Sequence, residues 1–259
     1  VNATSVRAVP YDVSVVGYRN RIANTLRLWS AEPSESNLPE NVRFEDYLTT
    51  LRELCHGLYP DDSTEHGRLL RLRQQYFLVS AGLQSALRGH KRRLGTLDNF
   101  SDYYVFQLND TRPILAIPEL MRLVMDVYGY GWDYAWNIVT KCIAYTNHTI
   151  LAEALEKWPV HYVQRLIPRI YMIIEEINRR FAQFCREKTN NDQNKVYKMS
   201  IIRDGQVHMA HLAIAGSFSV NGVAYLHTEI LKNQEMKDFY EIYPEKFNNK
   251  TNGITHRRW

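Results

Sequence analysis

The chain has 259 residues, of which 45% are hydrophobic, so it is long and apolar enough to build a real core. Its 32 basic and 28 acidic residues leave a formal net charge of only +4. Because the basic residues are scattered and no apolar run reaches the length of a bilayer, these numbers argue against a nucleic-acid-binding protein and against a membrane protein.

The first third of the chain is predicted to be irregular and then helical. Tyr, Leu and Phe residues recur at helical spacing after residue 43, and Asp61, Asp62 and Ser63 follow as a polar turn. The predicted elements are, in chain order, an irregular segment over residues 1–19, a short helix over 20–29, a loop over 32–39, a helix over 44–58 and a longer helix over 67–88.

The remaining two thirds show a different rhythm, in which a strand, a polar loop and a helix alternate. The predicted strands are 103–108, 142–145 and 209–214, and the predicted helices are 117–127, 132–140, 150–157, 162–188 and 223–231. We also expect a kink at Pro168, a polar linker over 189–194, a small-residue turn over 216–222 and an irregular tail from residue 241. This alternation is typical of an open α/β sheet. Ligands of such sheets bind at the carboxyl ends of strands, which directs attention to the loops of Asp110, His148 and Ser217.

The candidate side chains in these loops each have two readings. His148 follows a strand and can bind a ligand or cap the next helix. Asp110 can be a site carboxylate or can accept backbone N–H groups in the turn at residues 109–113.

His208 and His211 would face opposite sides of a strand, so we expect no metal site. The cysteines Cys55, Cys142 and Cys185 have no metal or disulfide spacing, which indicates a reducing, cytoplasmic compartment.

Several strings, taken together, resemble the α-glucan phosphorylases that act on glycogen, starch or maltodextrin. They are VPYD at 9–12, GYRN at 17–20, LRLWSA at 26–31, QLNDT at 107–111, AYTNHT at 144–149, NGVA at 221–224 and NKTNGIT at 249–255. The resemblance covers nearly the whole chain in the order of the family, apart from residues 85–101. It implies that residues 1–259 are an internal piece, a partial N-terminal catalytic lobe of a two-lobed GT-B-type glucosyltransferase fold that is helix-rich with an open sheet.

The resemblance also implies a reaction and roles for individual residues. The family cleaves terminal α-1,4-glucosidic bonds with inorganic phosphate and releases glucose 1-phosphate, through an oxocarbenium-like transition state. By this match His148 is catalytic and lies against the bound glucose, with its imidazole at the C6 hydroxyl. Asn252 would bond outer hydroxyls of the same sugar, Asp62 and Ser63 would belong to a mobile gate loop, and Asp110 would line the pocket beside that gate.

Other features of the family are expected only in the complete enzyme. The resemblance implies pyridoxal phosphate on a lysine in a Gly-rich stretch of the C-terminal lobe, and no such stretch occurs in this chain. The complete enzyme would be a homodimer, in which the helix over 44–58 contacts the partner unless its apolar stripe packs on its own core. The isolated chain is expected to be inactive, and the alternative is a non-catalytic glucan-binding or interaction fragment.

The chain departs from the family pattern at two histidine positions. Arg112 and Phe218 stand where the family has histidine, and both positions are expected to line the pocket. Arg112 keeps hydrogen-bond donors and adds a permanent charge that can fork onto a carboxylate. We therefore predict either a solvated Arg112 or an Arg112 that pairs with Asp61, Asp62 or Asp110 and tethers the gate loop.

Overall fold

The computed structural model of the protein describes residues 5–34 and 43–256. The chain divides into two units, residues 1–82 and 83–259. Helices and open sheets occur together, which confirms the predicted α/β class. None of the helices within the described ranges is both long enough and apolar enough to cross a membrane.

The first unit begins with a two-stranded antiparallel ribbon. Its strands are β1, Val6–Val16, and β2, Ala23–Pro33, and Gly17 donates its N–H to Ile22 O at 2.8 Å across the turn. The predictions of an irregular segment over 1–19 and a helix over 20–29 are therefore wrong for the residues described. Apolar residues alternate along both strands, as at Val13 and Val15, and this period of two is the strand pattern.

Helix α1, Phe44–Cys55, confirms the helix predicted from residue 44 onward. Its apolar stripe packs on its own ribbon, since Leu51 is only 2% exposed and belongs to a cluster that includes Val6 and Ala31. This packing favours the alternative in which the stripe serves the core of the same chain. Leu51 is thus unavailable as a contact for a second subunit.

Helix α2, Glu65–Leu94, confirms the second long helix and extends it at both ends. It begins in the first unit and ends in the second. The polar turn at residues 61–63 precedes it as predicted. Of the predicted loop over 32–39, residues 35–39 lie outside the described residues, while Glu32 and Pro33 belong to β2.

The second unit is built on a four-stranded parallel sheet with the order β3-β4-β8-β9. Its strands are β3, Phe106–Asn109; β4, Ile143–Thr146; β8, Ser219–Gly222; and β9, Phe247–Asn249. The first two strands confirm the strands predicted near 103–108 and 142–145. A smaller antiparallel sheet has the order β5-β7-β6, from β5, Lys157–Pro159, β6, Ile202–Arg203, and β7, Gln206–His208.

Helices surround these two sheets. They are α3, Phe100–Tyr103; α4, Ala116–Arg122, continued by a π-helical turn over Leu123–Val127; α5, Trp132–Cys142; α6, Val160–Leu166; α7, Pro168–Lys188; α8, Gln193–Met199; α9, Met209–Gly216; α10, Tyr225–Ile230, continued by a π-helical turn over Leu231–Glu235; and α11, Lys237–Ile242. Short 3₁₀ turns cover Ala152–Ala154 and Pro244–Lys246.

The third predicted strand, over 209–214, is wrong because this segment is helix α9. Seven of its eight residues are buried, so it has no polar face from which a helical period could be read. Gly216 permits close packing at its end, since a Cβ there would lie 2.8 Å from the side chain of Ile117. The third strand along the chain to join the parallel sheet is β8, where a small-residue turn was predicted.

Other boundaries also differ from the predictions. The helix over 162–188 is two helices, separated at Ile167, with Pro168 as the first residue of the second. Proline suits that position because its missing N–H would be unpaired anyway. The predicted helix over 150–157 is irregular apart from the 3₁₀ turn at Ala152–Ala154 and its last residue, which begins β5. The linker over 189–194 runs into α8, and the irregular tail contains the end of α11 and all of β9.

Candidate functional site

The carboxyl ends of the four parallel strands lie along one edge of the sheet. The strands end at Asn109, Thr146, Gly222 and Asn249, and the loops of Asp110, His148 and Asn252 leave from this edge. We call it the carboxyl edge. Asp110 and His148 thus occupy neighbouring loops, as the alternation of strands and polar loops predicted.

Ser217 was expected at the same edge, and this prediction is wrong. Ser217 and Phe218 precede β8, and Phe218 donates its N–H to Ile143 O at 2.9 Å, at the start of β4. Both residues therefore lie at the amino end of the sheet. The replacement of a family histidine by Phe218 does not alter the carboxyl edge.

Polar side chains join three strands at the carboxyl edge. Gln107 Nε2 donates to Thr146 Oγ1 at 2.8 Å, and Thr146 Oγ1 donates to Asn221 Oδ1 at 2.9 Å. The Asn147 N–H also donates to Asn221 O at 2.9 Å. Because Asn221 is buried, these bonds fix where the chain leaves β4, two residues before His148.

The His148 ring is held by Asn109, the last residue of β3. Nε2 of His148 forms a hydrogen bond with Asn109 Oδ1. An amide oxygen only accepts, so in the neutral tautomer that fits this bond Nε2 carries the proton and Nδ1 is the acceptor. His148 itself is exposed, so its Nδ1 is accessible as a hydrogen-bond acceptor for a ligand hydroxyl.

Asp110 has a left-handed backbone, with φ of 103°. Its Oδ1 accepts the Thr111 N–H at 2.9 Å. Asp110 therefore makes one contact of the kind expected if its carboxylate accepts backbone N–H groups in this turn. Left-handed backbone is unfavourable for residues other than glycine, although aspartate tolerates it better than most. The turn after β3 is therefore held in an uncommon conformation next to His148.

Asn252 reaches the carboxyl edge through backbone bonds to the end of β8. Its N–H donates to Val223 O at 3.0 Å, and the Lys250 N–H donates to Gly222 O at 3.1 Å. The Val223 N–H in turn donates to His227 Nδ1 at 3.0 Å. Nε2 of His227 therefore carries the ring proton, and this buried atom has no partner among the described residues.

Sequence reasoning missed Asn109, Asn221 and His227 as parts of this edge. For Asn109 a usable signal exists, because a polar residue that closes a predicted strand of a parallel sheet falls at the ligand-binding edge. Asn221 and His227 gave no such signal, since strand β8, which contains Asn221 and precedes His227, was not predicted.

Gly222 lies at the end of β8 with no room for a side chain. A Cβ there would lie 2.4 Å from Thr228 Oγ1 and 2.9 Å from His227 Nδ1. We expect Gly222→Ala to lower the free energy of unfolding by about 1–3 kcal/mol, because the clash involves a buried threonine and displaces His227 from Val223. Urea unfolding followed by circular dichroism measures this change.

Gly89→Ala in helix α2 is the matched control for that substitution. A Cβ at Gly89 meets nothing within 4 Å, so the variant should be stabilised by about 0.5–1 kcal/mol. If Gly222→Ala were as stable as the original chain, the close approach at the end of β8 would be ruled out.

Asp62 and Ser63 lie in the first unit, in the turn before α2. The Asp62 carboxylate is ion-paired with Arg71, and Asp61 Oδ1 accepts the Ser63 N–H at 3.0 Å. That hydrogen bond lowers the pKa of Asp61. The turn is thus tied to its own helix, and the tether between Arg112 and this turn stays a prediction.

His208 and His211, at the start of α9, were predicted to lie on opposite faces of a strand, and this prediction is wrong. The rings of His208 and His211 stack with their centroids 4.9 Å apart. His211 Nδ1 bonds Ser200 O at 2.9 Å, and Arg203 Nε donates to His208 Nε2 at 3.3 Å. Within residues 5–34 and 43–256, no cluster of three or more His, Cys, Asp or Glu could hold a metal ion.

Comparison with known proteins agrees with the resemblance read from the sequence. The model of the family described as carbohydrate phosphorylase matches residues 1–259. The chain is 49% identical to glycogen phosphorylase of Bacillus subtilis (strain 168), where 99% of this chain aligns with 32% of that protein. It is 48% identical to the muscle form of glycogen phosphorylase of Mus musculus, with 100% of this chain aligned to 33% of that protein. The chain thus spans about a third of the length of these relatives, and it belongs to the carbohydrate phosphorylase family.

Proposed function

We propose that this chain forms part of an α-glucan phosphorylase and supplies the sugar-binding side of its active site. The complete enzyme would cleave terminal α-1,4-glucosidic bonds of glycogen, starch or maltodextrin with inorganic phosphate and release glucose 1-phosphate. Residues 1–259 would belong to the N-terminal lobe of a two-lobed GT-B-type fold. The observation that supports this proposal is the carboxyl edge, where His148, Asp110 and Asn252 follow parallel strands in a chain of this family.

His148 would act by contact with the glucose ring at the cleaved bond. Asn109 leaves Nδ1 of His148 as an acceptor, which suits a C6 hydroxyl that donates a hydrogen bond. The backbone carbonyl of His148 would face the anomeric carbon, where positive charge develops in the transition state. Asn252 would bond outer hydroxyls of the same sugar, and Asp62 and Ser63 would close over it as a gate.

The phosphorylase family uses pyridoxal phosphate, but the surroundings of Lys141, Lys246 and Lys250 do not fit its attachment. Lys141 and Lys250 are exposed, and Lys250 Nζ donates to Asn248 Oδ1 at 2.6 Å. Lys246 donates to two backbone carbonyls at the end of α9 and precedes β9, so it lies away from the carboxyl edge. Because the Gly-rich stretch expected around the cofactor lysine does not occur in this sequence either, another part of the enzyme would bind the cofactor.

We expect the isolated chain to form no specific adduct with pyridoxal phosphate and to release no glucose 1-phosphate. Incubation with the cofactor, reduction with borohydride and mass spectrometry of the peptides tests the first point. A stoichiometric adduct at one lysine, Lys246 in particular, would contradict it. Glucose 1-phosphate formed by the pure chain would contradict the second.

In the complete enzyme, His148→Ala is expected to lower kcat/KM about fivefold, since one hydrogen bond to a sugar hydroxyl is worth about 1 kcal/mol. Loss of the correct carbonyl position would add to this effect. The melting temperature should stay unchanged because the ring is exposed. Steady-state phosphorolysis and thermal unfolding give the two readouts.

His161→Ala on α6 is the control, because His161 is also exposed and lies outside the carboxyl edge. It should leave kcat/KM unchanged. If His148→Ala left the kinetics intact and lowered the melting temperature, His148 would be structural.

The partners of the complete enzyme follow from the same proposal. They are an α-1,4-glucan, inorganic phosphate and a second copy of the enzyme in a homodimer, in the cytoplasm. Burial of Leu51 in the first unit removes it as a subunit contact. Sedimentation of the complete enzyme therefore tests the dimer directly, without a substitution in α1.

A further inference from the structure

A cavity in the second unit lies away from the carboxyl edge and is enclosed by α5, α7 and the segment between α11 and β9. Its volume is about 320 Å³, which falls in the range of small-molecule sites, roughly 300–1,000 Å³. Five of its eleven lining residues are aromatic, namely Trp132, Trp136, Phe181, Phe184 and Tyr243. We call it the aromatic cavity.

The rings of this cavity are arranged in near-parallel layers. Phe184 and Tyr243 stack with centroids 5.1 Å apart and planes 11° from parallel, and Phe181 lies within 15° of the Tyr243 plane. Neutral hydrogen-bonding side chains are few in the lining, where Thr140 and Gln183 occur. Such walls suit a flat apolar ring, whereas a sugar would leave most of its hydroxyls without partners.

Three cations lie over rings of the same cavity. Arg180 is 4.9 Å from the Trp132 ring, Lys188 is 5.6 Å from Phe184, and Lys246 is 3.7 Å from Tyr243. Arg180 is also ion-paired with Asp133 and Glu176. No carboxylate oxygen within the described ranges lies within 4 Å of the Lys188 or Lys246 amine, and Glu245 acts on Lys246 through its charge from farther away.

Lys246 is the most enclosed of these cations. Its Nζ donates to Ile214 O at 3.0 Å and Ala215 O at 3.4 Å, the carbonyls at the end of α9. These partners are dipoles and carry no net charge. Burial lowers the pKa of Lys246 to about 8, so the amine is still mainly protonated at neutral pH and would gain from an anion beside it.

We propose that the aromatic cavity binds a planar aromatic carboxylate, whose ring lies among the Trp136, Phe184 and Tyr243 rings and whose carboxylate bonds Lys246 Nζ. Stacking and burial of the ring supply the apolar part of the affinity. The charge-assisted hydrogen bond to Lys246 supplies orientation and selects an acid over its neutral analogue. The proposal does not depend on the phosphorylase reaction.

Equilibrium dialysis of the whole chain with 2-naphthoate tests the proposal, with 2-naphthamide as the neutral ligand of the same shape. We expect one saturable site for 2-naphthoate and at least tenfold weaker binding of 2-naphthamide. Lys246→Met should weaken 2-naphthoate at least tenfold. Lys195→Met should change nothing, because Lys195 lies on α8, outside the cavity lining, and pairs with Glu241.

A second variant keeps the proposal testable even if Lys246→Met unfolds the end of α9. Phe184→Ala leaves Lys246 and its carbonyl partners in place, and it should weaken both ligands at least tenfold through loss of the stacked wall. Three results would each overturn the proposal. They are no saturable binding of 2-naphthoate by the folded chain up to roughly 1 mM, equal affinity for acid and amide, or unchanged binding by Phe184→Ala.

Discussion

Trp158→Ala is expected to lower the free energy of unfolding of the second unit by about 3–5 kcal/mol, the range for truncating a buried tryptophan or phenylalanine. Among the described residues, Trp158 is the bulkiest fully buried side chain, with 1% of its surface exposed. It lies in the middle of β5 and pairs with Val207 of β7. Truncation removes the ring from the core and leaves a void that the short strand cannot fill by collapse.

Urea unfolding monitored by far-UV circular dichroism measures this loss without relying on the fluorescence of the replaced residue. Trp158→Phe is the control, because it keeps one aromatic ring in the site and should cost clearly less than the alanine variant. An alanine variant within about 1 kcal/mol of the original chain would show that the small antiparallel sheet does not depend on this ring.

Half of the parallel sheet could be predicted from the sequence. The segments that became β3 and β4 are rich in aromatic and β-branched residues, and each is followed by a polar loop. From that pattern, the loops of Asp110 and His148 were predicted to lie at the same edge of the sheet. Local composition was sufficient here because both strands include core residues such as Leu108 and Tyr145.

The other half of the sheet could not be predicted for a physical reason. β8 is Ser219–Gly222 and β9 is Phe247–Asn249, and their small and amide side chains have little intrinsic strand preference. They are strands because neighbouring backbone pairs with them, as in the pairing of Val220 with Phe247. Tertiary pairing of this kind leaves no periodicity in the sequence.

One wrong element had a direct consequence for the candidate site. Reading α9 as a strand placed Ser217 at a carboxyl end, whereas it precedes β8 and lies at the amino end of the sheet. Because β9 was not predicted, nothing in the residue pattern placed Asn252 near His148. The expectation that both residues contact one sugar came only from the resemblance to the family, and the backbone bond from Asn252 to Val223 brings Asn252 to the carboxyl edge.

We expect the free energy of unfolding to fall strongly at acid pH because of His208 and His211, the histidine pair at the start of α9. Burial, followed by the charge of Arg203, lowers the pKa of His208 to about 4. Burial likewise lowers the pKa of His211 to about 3, against the opposing effect of its bond to Ser200. Both rings are therefore neutral in the folded chain at neutral pH. The charge of Asp204 raises the pKa of His208, but burial and the charges of Arg203 and Lys157 outweigh it.

The direction of this pH dependence follows from the histidine pKa values in the folded and unfolded states. In the unfolded chain a histidine titrates near pH 6.5, so below that pH the unfolded state binds more protons than the folded state. The stabilising contribution is complete above pH 6.5 and is lost as pH falls toward the folded pKa values of about 4 and about 3. At pH 5 the expected loss is about 2 kcal/mol for each histidine, or about 4 kcal/mol for the pair.

Urea unfolding at pH 7 and at pH 5 measures this loss, and His208→Gln isolates half of it. Glutamine does not titrate and can still accept from Arg203, so the variant should lose about 2 kcal/mol less between the two pH values than the original chain. His161→Gln is the control, because His161 is exposed and its replacement should leave the pH dependence unchanged. If His208→Gln and the original chain lost equal stability on acidification, His208 would be protonated in the folded chain at pH 5. The stacked pair would then have to accommodate a positive charge near Arg203 and Lys157, which burial of the ring and the charge of these cations make unfavourable.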